Sequence, residues 1–487
     1  MRGVTQFKRA ADIVLSLGAL ASVAVSLYVY YSTSVARTMS FQHALRYYVI
    51  TFGAAVALIA LRRLNTRTKV ASALFLVSVT FSLYALEIFL YAVPRDYWSP
   101  RQPFWGIDGS PKAKQRAKAL AERHGVVFDT REKFEVVMDL RERGIEAVPS
   151  VTALNNLLVP DGDGRLKSKI RSNGNELVPL GAIANTVTVL CNENGSYVTY
   201  ESGEQGFNNP RGLWQTRRAD IVAVGDSFTH GYCVPPDRNF VSLIRRRYPA
   251  TLNLGMAGHG PLLTLATISE YLPQLRPKIV LWFYYEQNDL VDFSAERKSP
   301  ILTRYLEDTF KQSLAERQRE IDRLLRAEIK TELKSFLLSR ERAQAEWEEE
   351  SQSVDPEWMK TGKLNKLRGI LMQILDRKPQ IPIEASDLYE FERVLSMANA
   401  RVGALGGQLY FVYLPSWVRY AKARDVASEQ REKVLTIING LDIPIIDLHP
   451  AFIAQLDPLA LFPFREYGHY TEQGHQMVAE KVLKALP

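Results

Sequence analysis

Cysteine is nearly absent from this 487-residue chain: Cys191 and Cys233 are the only two. The chain has no CxxC pair, no H-E-x-x-H helix, no Walker loop and no G-x-S-x-G elbow. That removes the common metal, nucleotide and elbow-serine chemistries, and neither a metal nor another cofactor is expected. Acidic residues are scarce in one place only. Residues 1–95 hold Asp12 and Glu87 against ten Lys and Arg, while the remainder balances 51 basic with 51 acidic residues. The formal charge of +8 therefore belongs to the N-terminus. No basic patch is left over in the larger portion, and no nucleic-acid partner is expected. What is present is apolar: 46% of the residues, ample for a sizeable core, in a chain long enough for two or three domains.

Long apolar runs account for the basic N-terminus. Ile13–Tyr31 is uncharged, Val70–Val93 is interrupted only by Glu87, and Tyr47–Leu61 is shorter but flanked by Arg46, whose long side chain can snorkel. Residues 1–95 read as a membrane region with three transmembrane helices. A cleaved signal peptide fits less well, because the first run is too long for an h-region and no A-x-A-like site follows it. Arg2, Lys8 and Arg9 precede the first run, and Arg62, Arg63, Arg67 and Lys69 crowd the loop before the last, whereas the first loop holds only Arg37 and Arg46. The positive-inside rule then puts the N-terminus in the cytoplasm. Three crossings deliver the remainder outside it: a multi-pass protein of a bacterial inner membrane with a periplasmic or extracellular domain. Both cysteines fall in that exported portion. They can form a disulfide if their Cα atoms lie within about 7 Å, or stand as two buried thiols. Glu87 faces a helix partner or the interface.

Residues 94–105, "PRDYWSPRQPFW", read as an interfacial linker. A charged amphipathic segment, Pro111–Gly144, reads as helical, and "VTVLCNENGSYVTY" as short strands; together residues 96–217 form an N-terminal elaboration. From residue 218 to 487, "IVAVGDS", "TLNLGMAG", "KIVLWFYYEQND", "QLYFVYLPS" and "IPIIDL" are near-continuous apolar strands, each running into a polar or Gly-rich end. This is the pattern of a parallel sheet buried on both faces, in an α/β domain. A helical insertion occupies about 295–400. Within it Leu306, Phe310, Leu314, Ile321, Leu325, Ile329, Leu333 and Leu337 recur at spacings of four or seven, predicting a long amphipathic helix over about 304–350. It either packs on the domain's flank or serves as a lid or docking arm. The terminal helix is expected over Thr471–Leu486.

Ligands of such sheets bind beyond the carboxyl ends of the strands, so one rim collects Asp226, Ser227, Gly258, Asn288 and Asp289. A serine after a strand is commonly a helix N-cap, and a histidine at a turn is commonly solvated; here four such strand ends coincide. Glu466 and His469 sit at the last. His230 and His259 flank the motifs as candidates to line the pocket, whereas His124, His449 and His475 read as surface residues.

In order along the chain, "GDSF", "MAGHG", "EQND" and "EYGH" resemble the four blocks of the SGNH hydrolases, the GDSL-type esterases. The resemblance covers residues 220–487 apart from the insertion, and implies a flavodoxin-like three-layer α/β/α domain. It implies Ser227 as nucleophile, His469 as general base and Glu466 as the acid that orients it. The oxyanion hole would be the N–H groups of Ser227 and Gly258 with the Asn288 amide. Two positions depart from the family pattern: Glu286 stands where a glycine is usual, and Glu466 where an aspartate is usual. Similar membrane-attached proteins add or remove O-acetyl groups on surface glycans. The resemblance therefore implies a membrane-anchored serine esterase acting on acyl, chiefly O-acetyl, esters of extracytoplasmic glycans. A polysaccharide O-acetyltransferase using the same acyl-enzyme, and a non-catalytic glycan-binding or assembly scaffold, are the alternatives. The expected partners are the lipid bilayer, an acylated glycan, and membrane proteins met through the transmembrane helices or the 304–350 helix.

Overall fold

The computed structural model describes residues 2–31, 41–92, 111–216, 218–351, 364, 367–368, 371, 385–421, 426–466 and 468–487. The 94–105 linker and most of the stretch between the long helix and Pro382 lie outside these residues. The chain divides into two compact units, Met1–Gln102 with Glu348–Pro379, and Pro103–Trp347 with Gln380–Pro487.

The first unit holds α1 (Arg2–Tyr30), α2 (Phe41–Leu61) and α3 (Thr66–Ala92). Among the described residues two helical stretches, Thr5–Tyr30 and Thr66–Leu90, are long and apolar enough to cross a membrane. Of the three expected spans the second is the shortest. In α2 the apolar stretch is only Tyr48–Leu61, because its first turns carry His43 and Arg46. Large apolar side chains such as Phe52, Phe75 and Phe81 point outward from these helices, where water would penalise them and lipid would not. Charges are paired inward: Lys69 Nζ lies 2.8 Å from Asp12 Oδ1. Glu87 is buried and accepts the Leu367 N–H at 2.7 Å.

The second unit begins with α4 (Pro111–Arg123) and α5 (Lys133–Glu142), two helices where the sequence suggested one segment. Strand β1 (Ala147–Pro149) follows, then the small hairpins β2 (Leu158–Pro160) with β3 (Leu166–Ser168) and β4 (Arg171–Ser172) with β5 (Asn175–Glu176). Next come β6 (Val187–Cys191) and β7 (Val198–Glu201), which pair antiparallel and form a three-stranded sheet in the order β1-β6-β7.

The main sheet contains the five strands read from the sequence: β8 (Ile221–Val224), β9 (Thr251–Asn253), β10 (Ile279–Tyr285), β11 (Gln408–Leu414) and β12 (Ile445–Asp447). All pairings are parallel, in the order β12-β11-β10-β8-β9. Counted within the sheet this is 2-1-3-4-5, the flavodoxin-like doubly wound order. Successive side chains alternate between faces. Val222, Val224, Val280, Trp282 and Phe411 join one core, which also takes Leu157, Leu180 and Phe207 from the elaboration, whereas Ile221, Ala223, Leu281, Phe283 and Val412 join the other. After the single turn α6 (Ser227–His230), α7 (Phe240–Arg247) and the terminal helix Glu472–Ala485, capped by Thr471, cover the second face, and α8 (Pro261–Leu275) covers the first.

The long amphipathic helix starts later than its periodicity suggested, at Gln318, and runs to Ser351. The buried Glu270 carboxylate explains the delay: it accepts the Tyr305 hydroxyl at 2.6 Å and the backbone N–H groups of Gln312 and Leu314 at 2.5 and 2.8 Å. Ser313 consequently takes a left-handed conformation, and residues 304–317 form short turns. Ile321, Leu325 and Ile329 then pack into the first core, and the Asp322 carboxylate accepts the Ala184 N–H at 2.9 Å. The first turns of this helix lie on the flank of the domain.

Candidate active site

Strand β8 ends in Gly225, whose φ of +144° and close approach to Phe283 O leave no room for a Cβ. The chain thereby turns sharply into a single helical turn, Ser227–His230, and is stopped at once by Gly231 in the left-handed region. Asp226 caps that turn, accepting the Phe228 N–H at 2.9 Å. Ser227 is thus presented at the rim. After β9, Gly258 adopts φ +76°, with the Asn155 amide where a Cβ would stand. After β10, Asn288 precedes the helix Asp289–Glu296. The loop before the terminal helix supplies His469.

These groups meet. His469 Nε2 lies 2.8 Å from Ser227 Oγ. On the other side of the ring, Nδ1 lies 2.8 Å from Glu193 Oε1, and the His469 backbone N–H donates to Glu193 Oε2 at 2.9 Å. The carboxylate against His469 is therefore Glu193, not Glu466 as the sequence blocks suggested. The reason is geometric: Glu193 occupies the ring and the backbone N–H of His469 together, while Glu466 lies half-buried after two left-handed residues, Phe464 and Arg465. Glu193 follows β6 by two residues, and the intervening chain is fastened by a disulfide between Cys191 and Cys233, with a Cα separation of 5.2 Å. Cys233 itself lies just beyond the Ser227–His230 turn. The bond thus ties the hairpin carrying the acid to the segment carrying the serine.

The imidazole is held between Phe228 and Tyr232, each ring centroid 4.8 Å from its own. Burial pulls its pKa down, but the Glu193 charge and hydrogen bond, with Asp226 behind them, outweigh burial and hold it above 6.5. Asn288 Nδ2 donates to Asp292 Oδ2 at 3.0 Å and approaches Asp226 Oδ2 at 3.3 Å. Burial, with the Asp226 charge beside it, raises Asp292 to about 7, and burial raises Asp226 above its ordinary value as well. The N–H groups of Ser227 and Gly258 have no hydrogen-bond partner among the described residues.

All of this opens onto a cavity of about 590 Å³, lined by Ser227, Gly258, Asn288 and His469 from the rim and by Lys133, Asn155, Glu193 and Tyr232 from neighbouring segments. Asp226 and Asp289 lie beneath it, where Asp289 accepts the Tyr285 N–H at 3.2 Å. His230 and His259 do not line it. His230 is buried against the Tyr200 hydroxyl at 3.0 Å, and burial lowers both imidazoles to about 3, leaving them neutral. His475 is no surface residue: it is fully buried, stacks on Phe240, and accepts the Phe240 N–H at 3.1 Å. Glu286, at the position of the usual glycine, faces away from the serine. It accepts the Tyr413 hydroxyl and the Ser416 N–H and pairs with Arg419, all buried, and so fixes the end of β11.

Glu193, Cys233 and His469 offer donor atoms within 4.8 Å of one another. The sulfur is committed to the disulfide and both ring nitrogens to Ser227 and Glu193, so this set is unsuited to hold a metal.

No protein-family model matches the chain, and no curated protein matches it. Solved structures do. One is a lipolytic protein of the G-D-S-L family from Veillonella parvula, 13% identical, covering 55% of this chain and 97% of its own, with a TM-score of 0.28. An acetyl xylan esterase is 10% identical over 55% of this chain and all 100% of its own, at a TM-score of 0.30. A lipase/acylhydrolase from Enterococcus faecalis is 12% identical over 55% and 94%, also at 0.30.

The elaboration supplies what the four blocks do not contain: Glu193, Lys133 and Asn155. A signal for Glu193 existed. Cys233 lies six residues after Ser227 and Glu193 two after Cys191, so a disulfide between the two cysteines brings Glu193 to the serine. Nothing comparable marked Lys133 or Asn155.

Proposed function

We propose that this chain is a membrane-anchored serine ester hydrolase that removes acyl groups, chiefly O-acetyl, from glycans outside the cytoplasm. The observation that carries the reading is the continuous line of hydrogen bonds from Glu193 through His469 to Ser227 on the wall of one cavity. Ser227 Oγ attacks the ester carbonyl while His469 Nε2 takes its proton, and Glu193 keeps Nδ1 protonated and offsets the imidazolium charge. The carbonyl oxygen, now negative, meets the free N–H groups of Ser227 and Gly258 and the Asn288 amide, whose hold on Asp226 at 3.3 Å is loose enough to yield. Collapse expels the alcohol, protonated by His469. Water, deprotonated by the same ring, then attacks the acyl-enzyme and frees serine and carboxylate.

The placement of the enzyme is supported by the two long apolar helices, by the basic residues that flank them, and by a disulfide, which persists in oxidising compartments. Export by three crossings requires α2 as well. Its 21 residues span about 31 Å at 1.5 Å per residue, close to the thickness of a bilayer core. Treatment of the purified protein with a fluorophosphonate probe tests the chemistry: labelling at Ser227 with release of acetate from acetylated glycans is expected, and an unlabelled wild type that releases none would reject it. Adding a sugar acceptor to the same assay separates hydrolysis from acyl transfer.

A further inference from the structure

Besides two tyrosines, four ionisable side chains line the cavity: Glu193, His469, Asp292 and Lys133. Three have partners. Glu193 and His469 satisfy each other, and Asp292 accepts the Asn288 amide. Lys133, half-buried at the start of α5, has no hydrogen bond or ion pair among the described residues. The carboxylate that acts on it, Glu332, is itself paired with Lys169 at 3.4 Å. Burial lowers the lysine to about 8, which still leaves most of it charged at neutral pH. A half-buried cation on the cavity wall with no direct ion-pair partner among the described residues is available to an anion that enters the cavity. Two neutral donors close to the reacting groups are also uncommitted among the described residues: the Asn155 amide beside Gly258 and the Tyr232 hydroxyl beside His469.

We propose that Lys133 forms an anion subsite of this cavity, so that the preferred esters are those whose alcohol part carries an oxyanion, a sugar carboxylate or a sugar phosphate, seated on Lys133 while the acyl group lies at Ser227. This rests on the esterase reading and specifies its substrate class. Asn155 and Tyr232 remain for the sugar hydroxyls. Carboxylate and phosphate present the same chemistry to a lysine ammonium, a point charge with three donors, so the alcohol is identified by assay.

The test uses the purified full-length protein in detergent with three acetyl esters of one sugar skeleton: a neutral hexoside, the corresponding hexuronide, and the corresponding hexose phosphate. For the wild type, kcat/KM on at least one anionic ester should exceed that on the neutral ester by about tenfold or more, the usual scale of a hydrogen bond to a charged group. Whichever anionic ester leads identifies the source of the oxyanion. In Lys133→Gln the ratio should fall to about one, and in Lys133→Arg it should be largely kept. A wild-type ratio near one, or the same ratio in Lys133→Gln, overturns the subsite. If none of the esters turns over, the esterase reading fails separately. The same ratios, read as Kd for Ser227→Ala with and without Lys133→Gln, then decide whether the anion is bound.

Discussion

Two regions of the second unit contribute to the cavity in different ways. The five-stranded sheet delivers Ser227, Gly258, Asn288 and His469 from the ends of its strands or the loop before its last helix, each in a short stretch where backbone geometry and chemistry coincide. Residues 111–216 deliver Glu193, Lys133 and Asn155 from a hairpin end, a helix start and the short π-helical turn Ala153–Leu157, which share no pattern. In the first region a glycine must stand where the backbone turns, and the reactive side chain follows it. In the second, position comes from tertiary contact: a disulfide, a β6–β7 hairpin, and packing into the same core that holds the sheet. In the proposed mechanism the sheet supplies the nucleophile and its base, while the orienting acid and the anion subsite come from outside it.

Substitutions that separate the two contributions should show a graded series. Ser227→Ala should lower acetyl-ester turnover by about 10,000-fold or more and abolish fluorophosphonate labelling, because no other group on the rim is placed to replace the hydroxyl. Asn288→Ala should cost about 100- to 1,000-fold in kcat, the usual loss for one oxyanion donor; a tenfold loss or less would remove it from that role. Opening the link between the regions, by Cys191→Ser with Cys233→Ser, should lower kcat by about ten- to a hundredfold while Ser227 still labels slowly, since the acid is then held by the hairpin alone. Equal activity in that variant would show that the hairpin needs no tether.

A pH profile sharpens the same comparison. His469 must be neutral to accept the serine proton, and Glu193 holds its pKa above 6.5. Activity of the wild type should therefore rise with pH along a limb centred above 6.5. With Glu193→Gln the charge that favours the imidazolium is gone while burial remains, so the limb should move to lower pH even as the plateau drops. A limb that stays in place would mean that another carboxylate governs the ring.

Much of the sheet domain was legible because a strand buried on both faces is an unbroken apolar run, and all five runs form strands in the order expected of a flavodoxin-like domain. Ser227 and His469 stand out because single residues in fixed local contexts carry them. Glu466 misled because spacing along the chain is a poor guide where Phe464 and Arg465 turn left-handed, and because an acid from 276 residues earlier reaches the ring first. The start of the long helix is not legible for a similar reason: Leu306, Phe310 and Leu314 keep helical spacing, but the Glu270 carboxylate takes the backbone N–H groups nearby. The place of His475 on a terminal helix suggests a surface residue, but the fold packs it against α7. The N-terminal helices are legible as apolar runs, of which the second, Tyr48–Leu61, is the shortest.

The most direct measurement compares Glu193→Gln with Glu466→Gln by the rate of fluorophosphonate labelling at Ser227 in otherwise identical protein. Labelling should slow by about 100-fold or more in Glu193→Gln and by less than about threefold in Glu466→Gln, because Glu193 holds both Nδ1 and the backbone N–H of His469, the ring proposed to activate the serine. Slow labelling in Glu466→Gln alongside wild-type labelling in Glu193→Gln would contradict the arrangement on which the account depends.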